Sequence, residues 1–520
     1  MFKFIDDMLN SITMYRLVLY YLIFLLVVAL GYSVAKILPY DPFALLFSTA
    51  YFLAICAATN VIFARTFGVP ANAESVYISA LILALIITPL QSYLDLSFFT
   101  WAGILAMASK YILAINKKHL FNPVALAVAL TAFALNQPAS WWVGTEPMLP
   151  FVLIGGLLIV RKTRRFDLVL SFTLTAGLTI FAFSVLNREN VELLGNSQDK
   201  LGLSVVATLE NTLLYSPLVF FACIILTEPL TVPPTNRLQI YYGMLVGFLF
   251  APQLHLGSFY ITPELAILIG NVFSYIVSPK AKLVLRLKEK IQLAPDIYDF
   301  IFVPNRKLAF APGQYMEWTL GHNNPDSRGN RRYFTLASAP TERTLRLGVK
   351  FYRRSSSFKR SMLAMDNGSE IVAGQLAGDF VLPENPHQKC VFLAGGIGIT
   401  PFRSMIQYLL DTNQRRPIVL FYSNKTAGEI VYKEVFDRAQ QQLGIKTIYT
   451  VTDPRQSPYT WKGRVGQISE NLIKREVPDY RNCYFYLSGP NAMVNSFEKL
   501  LKRMGIPKEQ IKTDFFPGFA

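Results

Sequence analysis

RRYFTLAS at 331–338, GVKFYRRSSSF at 348–358 and LAGGIGITPFRSM at 393–405 follow one another in a single stretch of this chain. The first string alternates as a β-strand does and carries an arginine beside an aromatic pair. A guanidinium offers a two-pronged fork to phosphate, and an aromatic face suits a flat ring. The second string ends a strand at Lys350 and passes through Ser355, Ser356 and Ser357 into a predicted helix, whose first amides and hydroxyls suit an anion. In the third, a buried strand turns through Gly395, Gly396 and Gly398 into a helix led by Thr400 and Pro401. Glycines let a phosphate approach backbone amides, and proline suits a first helical position. Together the strings point to phosphorylated ligands, one of them bearing a flat ring.

Outward from this stretch the chain divides. Residues 282–378 alternate charged and apolar positions with period two, which predicts a small antiparallel β-barrel. From 389 onward the strand-like strings CVFLAGGI, PIVLFYS, IKTIYTVT, NCYFYLSG and IKTDFF are separated by helical patterns, which predicts a parallel α/β domain. The first half is different. Ten apolar segments lie at 17–38, 43–64, 75–93, 97–115, 121–137, 147–161, 167–186, 211–227, 238–253 and 260–278. Most approach the ~20 residues a spanning helix needs. The expected architecture is therefore a multi-pass helical membrane bundle at 1–280, a β-barrel at 281–385 and an α/β domain at 386–520.

Charge supports this division. Arg16, Arg65, Lys117, Lys118, Arg161 to Arg165 and Arg237 fall before the first segment or in alternate loops, so the positive-inside rule places both termini in the cytoplasm. The 52% hydrophobic content and mean hydropathy of +0.33 fit a chain that is half membrane. The net charge of +16 is read as loop charge facing anionic lipid, with no nucleic-acid partner. Cys56, Cys223, Cys390 and Cys483 are far apart and form no CxxC, so neither a metal site nor a disulfide framework is expected. No cleavable leader is expected either.

On these strings residues 281–520 resemble the ferredoxin–NADP reductase superfamily. The resemblance implies FAD on the barrel and NADH or NADPH on the α/β domain. It implies that Arg332 holds the pyrophosphate, that Tyr333 stacks on the flavin with Phe334 beside it, and that Thr335 serves the reacting edge. Lys350 and Ser355, Ser356 and Ser357 would complete the flavin site. Gly395, Gly396, Gly398, Thr400 and Pro401 would take the nicotinamide nucleotide, with Gly489 and Pro490 below it. Ser488 stands where that family carries a cysteine near the nicotinamide, so Thr335 and Ser488 are the expected catalytic pair. Lys425, in FYSNK, lies where relatives read the adenosine ribose. The tail DFFPGFA resembles aromatic tails that cover flavin, with Phe515, Phe516 or Phe519 as the covering ring.

KHLFNPVALAVAL at 118–130, TEPLTVPPTNRLQIYYGMLVGFL at 227–249 and ELAILIGN at 264–271 resemble the B subunit of sodium-pumping NADH:quinone reductase and the D subunit of the Rnf complex. That resemblance implies a bacterial inner-membrane protein with a second flavin, FMN or riboflavin, in the bundle and a quinone or other acceptor. It implies that Asn122, Thr227, Glu228, Thr231, Thr235 and Asn236 line a flavin or ion path. The family's covalent attachment pattern is broken in DKLGLSVVATLEN at 199–211, so covalent flavin at Thr208 is not expected. The function expected is a membrane-bound NAD(P)H oxidoreductase, with a redox-driven Na⁺ or H⁺ pump as the alternative. A haem-type transmembrane reductase would need stacked intramembrane histidines, and of four histidines only His119 and His255 lie near the predicted bilayer.

Overall fold

The computed structural model describes residues 12–67, 73–115, 118–186, 214–257, 259–277, 283–322, 329–353, 355–453 and 463–514, with a few single positions between them. The chain forms two compact units, Met1–Ala281 and Lys282–Ala520.

The first unit is helical. Its main helices are α1 (Met14–Val34), α2 (Pro42–Thr66), α3 (Ala73–Ile86), α4 (Asp95–Ile112), α5 (Pro123–Leu135), α6 (Leu149–Thr163), α7 (Phe166–Leu186), α8 (Asn236–Leu249) and α9 (Pro263–Val277). Each of the ten apolar segments contains a helix; the eighth includes Leu218–Phe220 running into a π-helical turn, Phe221–Ile225. Starts follow local chemistry. Asp41 caps α2 by accepting from the Ala44 N–H at 2.8 Å, and Asn122 caps α5 by accepting from Val124 and Ala125, each ahead of a proline. Gly243 and Gly247, spaced by four on α8, lie against α7. An added Cβ would come within 2.7 Å of the Leu168 carbonyl and 2.5 Å of the Phe172 carbonyl, so only glycine permits this approach.

Among the described residues three helices, Met14–Val34, Pro42–Thr66 and Phe166–Phe183, are long and apolar enough to cross a membrane by length and composition. Some of the other apolar segments run past their helices: the segment at 75–93 continues beyond the end of α3 at Ile86 into buried Ile87. Trp141, Trp142 and Val143, which lie between the fifth and sixth segments, are buried in a turn between α5 and α6. Many large apolar side chains on the helices face outward, among them Val27, Phe43, Ile154, Leu178 and Ile276.

The second unit begins with strands β1 (Leu283–Ala294), β2 (Ile297–Pro304), β3 (Tyr315–Thr319), β4 (Arg331–Thr335), β5 (Leu345–Lys350) and β6 (Glu370–Ala377). They pair antiparallel in the order β4-β3-β6-β1-β2-β5. The Ala337 N–H donates to the Arg346 carbonyl at 2.9 Å, which draws the two ends of the sheet together around a core holding Phe300, Phe302, Trp318, Leu347 and Phe358. Helix α10 (Ser357–Leu363) lies between β5 and β6 in sequence.

The α/β part has strands β7 (Cys390–Gly395), β8 (Ile418–Asn424), β9 (Lys446–Val451), β10 (Arg464–Val465), β11 (Tyr484–Ser488) and β12 (Ile511–Thr513). All are parallel, in the order β10-β9-β8-β7-β11-β12. Helices α11 (Thr400–Asp411), α12 (Lys433–Leu443), α13 (Glu470–Glu476) and α14 (Asn491–Arg503) connect them. The chain leaves β7 toward β8 and later returns to its other side at β11. The crevice at the carboxyl ends of β7 and β11 is therefore the switch point where such sheets bind ligands.

Charged groups join the two parts of this unit. The Arg346 guanidinium meets Asp299 at 2.8 Å, and the Tyr432 hydroxyl donates to the same carboxylate at 3.2 Å. Arg403 pairs with Glu342 and donates to the Ala337 carbonyl at 2.9 Å. Asp299 is fully buried, and burial pushes its carboxyl above the usual range against the pull of Arg346 and Arg403.

Candidate functional site

Three strand ends meet at the switch point. Thr335 closes β4, Ser488 closes β11, and Asp514 directly follows β12. The Ser488 hydroxyl donates to Asp514 Oδ2 at 3.0 Å, and the Thr335 hydroxyl donates to the same oxygen at 3.4 Å. Asp514 keeps some surface as a residue, yet its Oδ1 is sealed from solvent and has no hydrogen-bond partner among the described residues. Burial pushes its carboxyl up to about 7, while the two hydroxyls pull the other way. The cluster thus holds a carboxyl that changes protonation near neutrality, linked to both expected catalytic hydroxyls. Asp514 carried no signal in the sequence reading, where the tail drew notice for its aromatic rings.

The glycine-rich turn sits beside this cluster. Gly396 adopts φ +54°, a left-handed conformation, and a Cβ there would meet nothing within 4 Å, so its backbone faces open space. Gly398 is the opposite case. A Cβ would lie 2.5 Å from the Gly489 nitrogen and the Ser488 carbonyl, so the turn packs directly on the Ser488-Gly489 backbone. At Gly395 a Cβ would meet the Met493 sulfur at 2.3 Å and Pro490 at 3.3 Å. Thr400 and Pro401 open α11 as expected. Backbone open to a ligand at Gly396, braced by Gly398 and Gly489, fits a nucleotide phosphate.

The flavin motif divides by strand parity. Tyr333 and Thr335 share one face of β4. The Tyr333 ring is edge-on to Tyr315, and its hydroxyl donates to Glu317 at 3.0 Å and Gln375 at 3.2 Å. Gln375, at φ +50° in the β6 bulge, keeps its Nε2 buried and unpartnered among the described residues. Such orphaned polar atoms beside the Thr335 face fit a polar ring edge. On the other face the Arg332 guanidinium lies 5.2 Å from the Phe358 ring centre, and Phe334 lies 6.1 Å from it.

Several of the expected binding residues also make contacts within the protein. Lys350 pairs with Glu429 at 2.9 Å, joining β5 to the α/β part. Ser355 bonds the main chain of Tyr352, and Ser356 caps α10 by accepting from Lys359. The Ser357 hydroxyl bonds His322 at 3.0 Å. These hydroxyls are therefore used to shape the turn. Lys425 is exposed just beyond β8, and its carbonyl accepts from the Asp453 N–H at 2.9 Å. Phe515, Phe516 and Phe519 lie outside the described residues, as do Ser204 and Thr208.

In the helical unit the structure gathers Asn122, Glu228 and Thr231. The Asn122 side-chain amide donates to Glu228 at 2.9 Å, and the Thr231 hydroxyl donates to Glu228 at 3.2 Å. The sequence reading did not single out two further members. Asn271 accepts from the Asn122 N–H at 2.8 Å and donates to the Tyr242 hydroxyl at 3.1 Å. Arg165 bonds the Thr227 carbonyl. Asn236 stands apart and donates to Asp167 at 3.4 Å, and Thr235 flanks α8 without a capping hydrogen bond.

Residues 392–499 match the family described as an oxidoreductase NAD-binding domain. The chain is similar to a flavohemoprotein of Oceanobacillus iheyensis, 25% identical over 238 residues, covering 44% of this chain and 57% of the relative. It is also similar to a glycine betaine monooxygenase reductase subunit of Chromohalobacter salexigens, 25% identical over 237 residues, covering 44% and 63%. The chain thus spans less than two thirds of these relatives. Among solved structures, the flavohem-like FAD/NAD-binding domain of a nitric oxide dioxygenase from Vibrio cholerae aligns with a TM-score of 0.40 and 20% identity, covering 45% of this chain and 98% of that domain.

Proposed function

We propose that the ferredoxin–NADP reductase-like module of residues 282–520 takes hydride from NADH or NADPH onto FAD and passes electrons to an acceptor in the helical unit. The meeting of Thr335, Ser488 and Asp514 at the sheet's switch point carries this reading. Bound flavin accepts two electrons as hydride and can release them singly. The chain supplies the rest. Arg332 would hold flavin phosphate and Tyr333 would flank the ring. The glycine turn at 395–398 would hold the nicotinamide nucleotide's phosphates, with Lys425 near its ribose. The hydroxyls of Thr335 and Ser488 would be oriented by Asp514, which holds or yields a proton near pH 7.

The helical unit is proposed to lie in a bacterial cell membrane, with both termini cytoplasmic and lipid against its outward apolar side chains. Its three long apolar helices support this, as does the buried polar cluster around Asn122, Glu228 and Asn271. Polar groups at such a place suit a second flavin, FMN or riboflavin, that relays electrons to a quinone or another acceptor. The same cluster favours a second reading, redox-driven movement of Na⁺ or H⁺, which would show as ion-dependent turnover or a membrane potential.

The decisive test is anaerobic titration of the purified full-length chain with NADH and with NADPH while its flavin is quantified. Two flavins per chain, both reduced, are expected. One flavin alone would leave the helical unit as an anchor or acceptor dock. A chain that holds no flavin, or whose flavin neither nicotinamide reduces, would end the proposal.

A further inference from the structure

We infer that the Asp326 carboxylate occupies the place of the flavin's phosphates on Arg332 and is displaced when FAD binds. This inference rests on the flavin reading proposed above. The Arg332 side chain is only 1% exposed, and its Nη2 lies 3.5 Å from Asp326 Oδ1. Its Nη1 is turned the other way, donating to the main-chain carbonyls of Gly329 at 3.2 Å and Arg331 at 2.6 Å. One edge of the guanidinium is thus fixed to the backbone, and another faces a carboxylate. The second Asp326 oxygen, Oδ2, accepts from the Ser357 N–H at 2.9 Å. Asp326 in turn donates its own N–H to the Ser357 hydroxyl at 2.9 Å, and His322 holds that hydroxyl from the other side at 3.0 Å. A single anionic group therefore spans a buried guanidinium and a main-chain N–H, one oxygen to each.

That is how a phosphate is held, and the carboxylate and phosphate draw on the same donors. Both cannot take them at once. Asp326 would neutralise Arg332 before the cofactor arrives, where an uncompensated buried charge would be costly. The same pairing makes FAD compete with a residue of the chain for its own site, so Asp326 weakens flavin affinity while it stabilises the flavin-free module.

The test uses the full-length chain in detergent, freed of flavin and titrated with FAD by fluorescence quenching. Asp326→Asn keeps the shape and removes the charge. It is expected to tighten FAD binding by about tenfold, the scale of one charge-assisted contact. It is also expected to lower the melting temperature of the flavin-free chain. Inorganic pyrophosphate should raise the melting temperature of the flavin-free Asp326→Asn chain more than that of the wild type. An Asp326→Asn chain that binds FAD no tighter, that responds to pyrophosphate as the wild type does, or that no longer folds would make Asp326 a permanent support and overturn the inference. A wild type that takes up no FAD would overturn the flavin reading itself, and this inference with it.

Discussion

Ser488 and Asp514 are joined by a 3.0 Å hydrogen bond across the carboxyl ends of the neighbouring strands β11 and β12. The bond ties the residue beside the expected nicotinamide site to an enclosed carboxyl, whose burial pushes it up to about 7 against the pull of the two hydroxyls. In the folded chain Asp514 holds its proton up to about pH 7, whereas an ordinary aspartate releases it near 3.8. Between those values the folded state binds more protons than the unfolded one, so this group's contribution to stability is greatest below about pH 4 and declines as pH rises to about 7. Asp514→Asn should flatten that decline in melting temperature measured across the same window. It should also remove an inflection near pH 7 from the rate of flavin reduction in single turnover. A wild-type-like pH slope in the variant would show that the carboxyl ionises normally.

Gly398 has no room for a side chain. Gly398→Ala would push a methyl group onto the Ser488-Gly489 backbone at 2.5 Å, and backbone cannot rotate aside. Overpacking of this kind costs about 1–3 kcal/mol. The variant should melt several degrees lower and bind both nicotinamides more weakly, with flavin content retained. Normal NAD(P)H affinity would show that the turn does not receive the nucleotide.

Arg332→Ala removes the buried guanidinium under the flavin motif. The loss of a charge-assisted contact, roughly 1.5–3 kcal/mol, corresponds to FAD binding weaker by about ten- to a hundredfold. Equilibrium dialysis of the purified chain gives the measurement. FAD retained at wild-type affinity would remove Arg332 from the site.

Orientation can be read with reporters. One fused after Ala520 should be cytoplasmic, and one placed within 188–205 external, because the basic loops alternate with sparsely charged ones. A C-terminus digested by protease added to intact cells would reverse the orientation and separate the module from cytosolic nicotinamide.

Local chemistry made much of this architecture legible. The glycine turn, the parallel strand strings and the barrel alternation are patterns of adjacent residues, and the elements form close to where those patterns lie. What stayed hidden depends on distant partners. Asp514 is one acid in a short strand string, and only folding brings it to Ser488 and to Thr335, 179 positions earlier. Lys350 reads as a cationic strand end, yet its partner Glu429 is 79 positions later. In the helical unit the apolar segment at 75–93 runs beyond α3, which ends at Ile86, since Ile87 past the helix is buried as Ile86 within it is.

The charge contacts between barrel and α/β part would set how the two proposed ligands meet. Asp299, Glu342 and Arg346 on one side hold Arg403 and Tyr432 on the other, and Lys350 reaches Glu429 in the same direction. A donor bound on one lobe and an acceptor bound on the other would meet on a frame already locked in register. The entropic penalty of aligning two reactants is then met largely during folding and not at each turnover, so the encounter behaves as an intramolecular event. Opening the cleft would mean exposing a desolvated carboxylate and guanidinium at once. Entry and exit of the nicotinamide should therefore proceed by small local shifts at the crevice, with the lobes themselves staying closed.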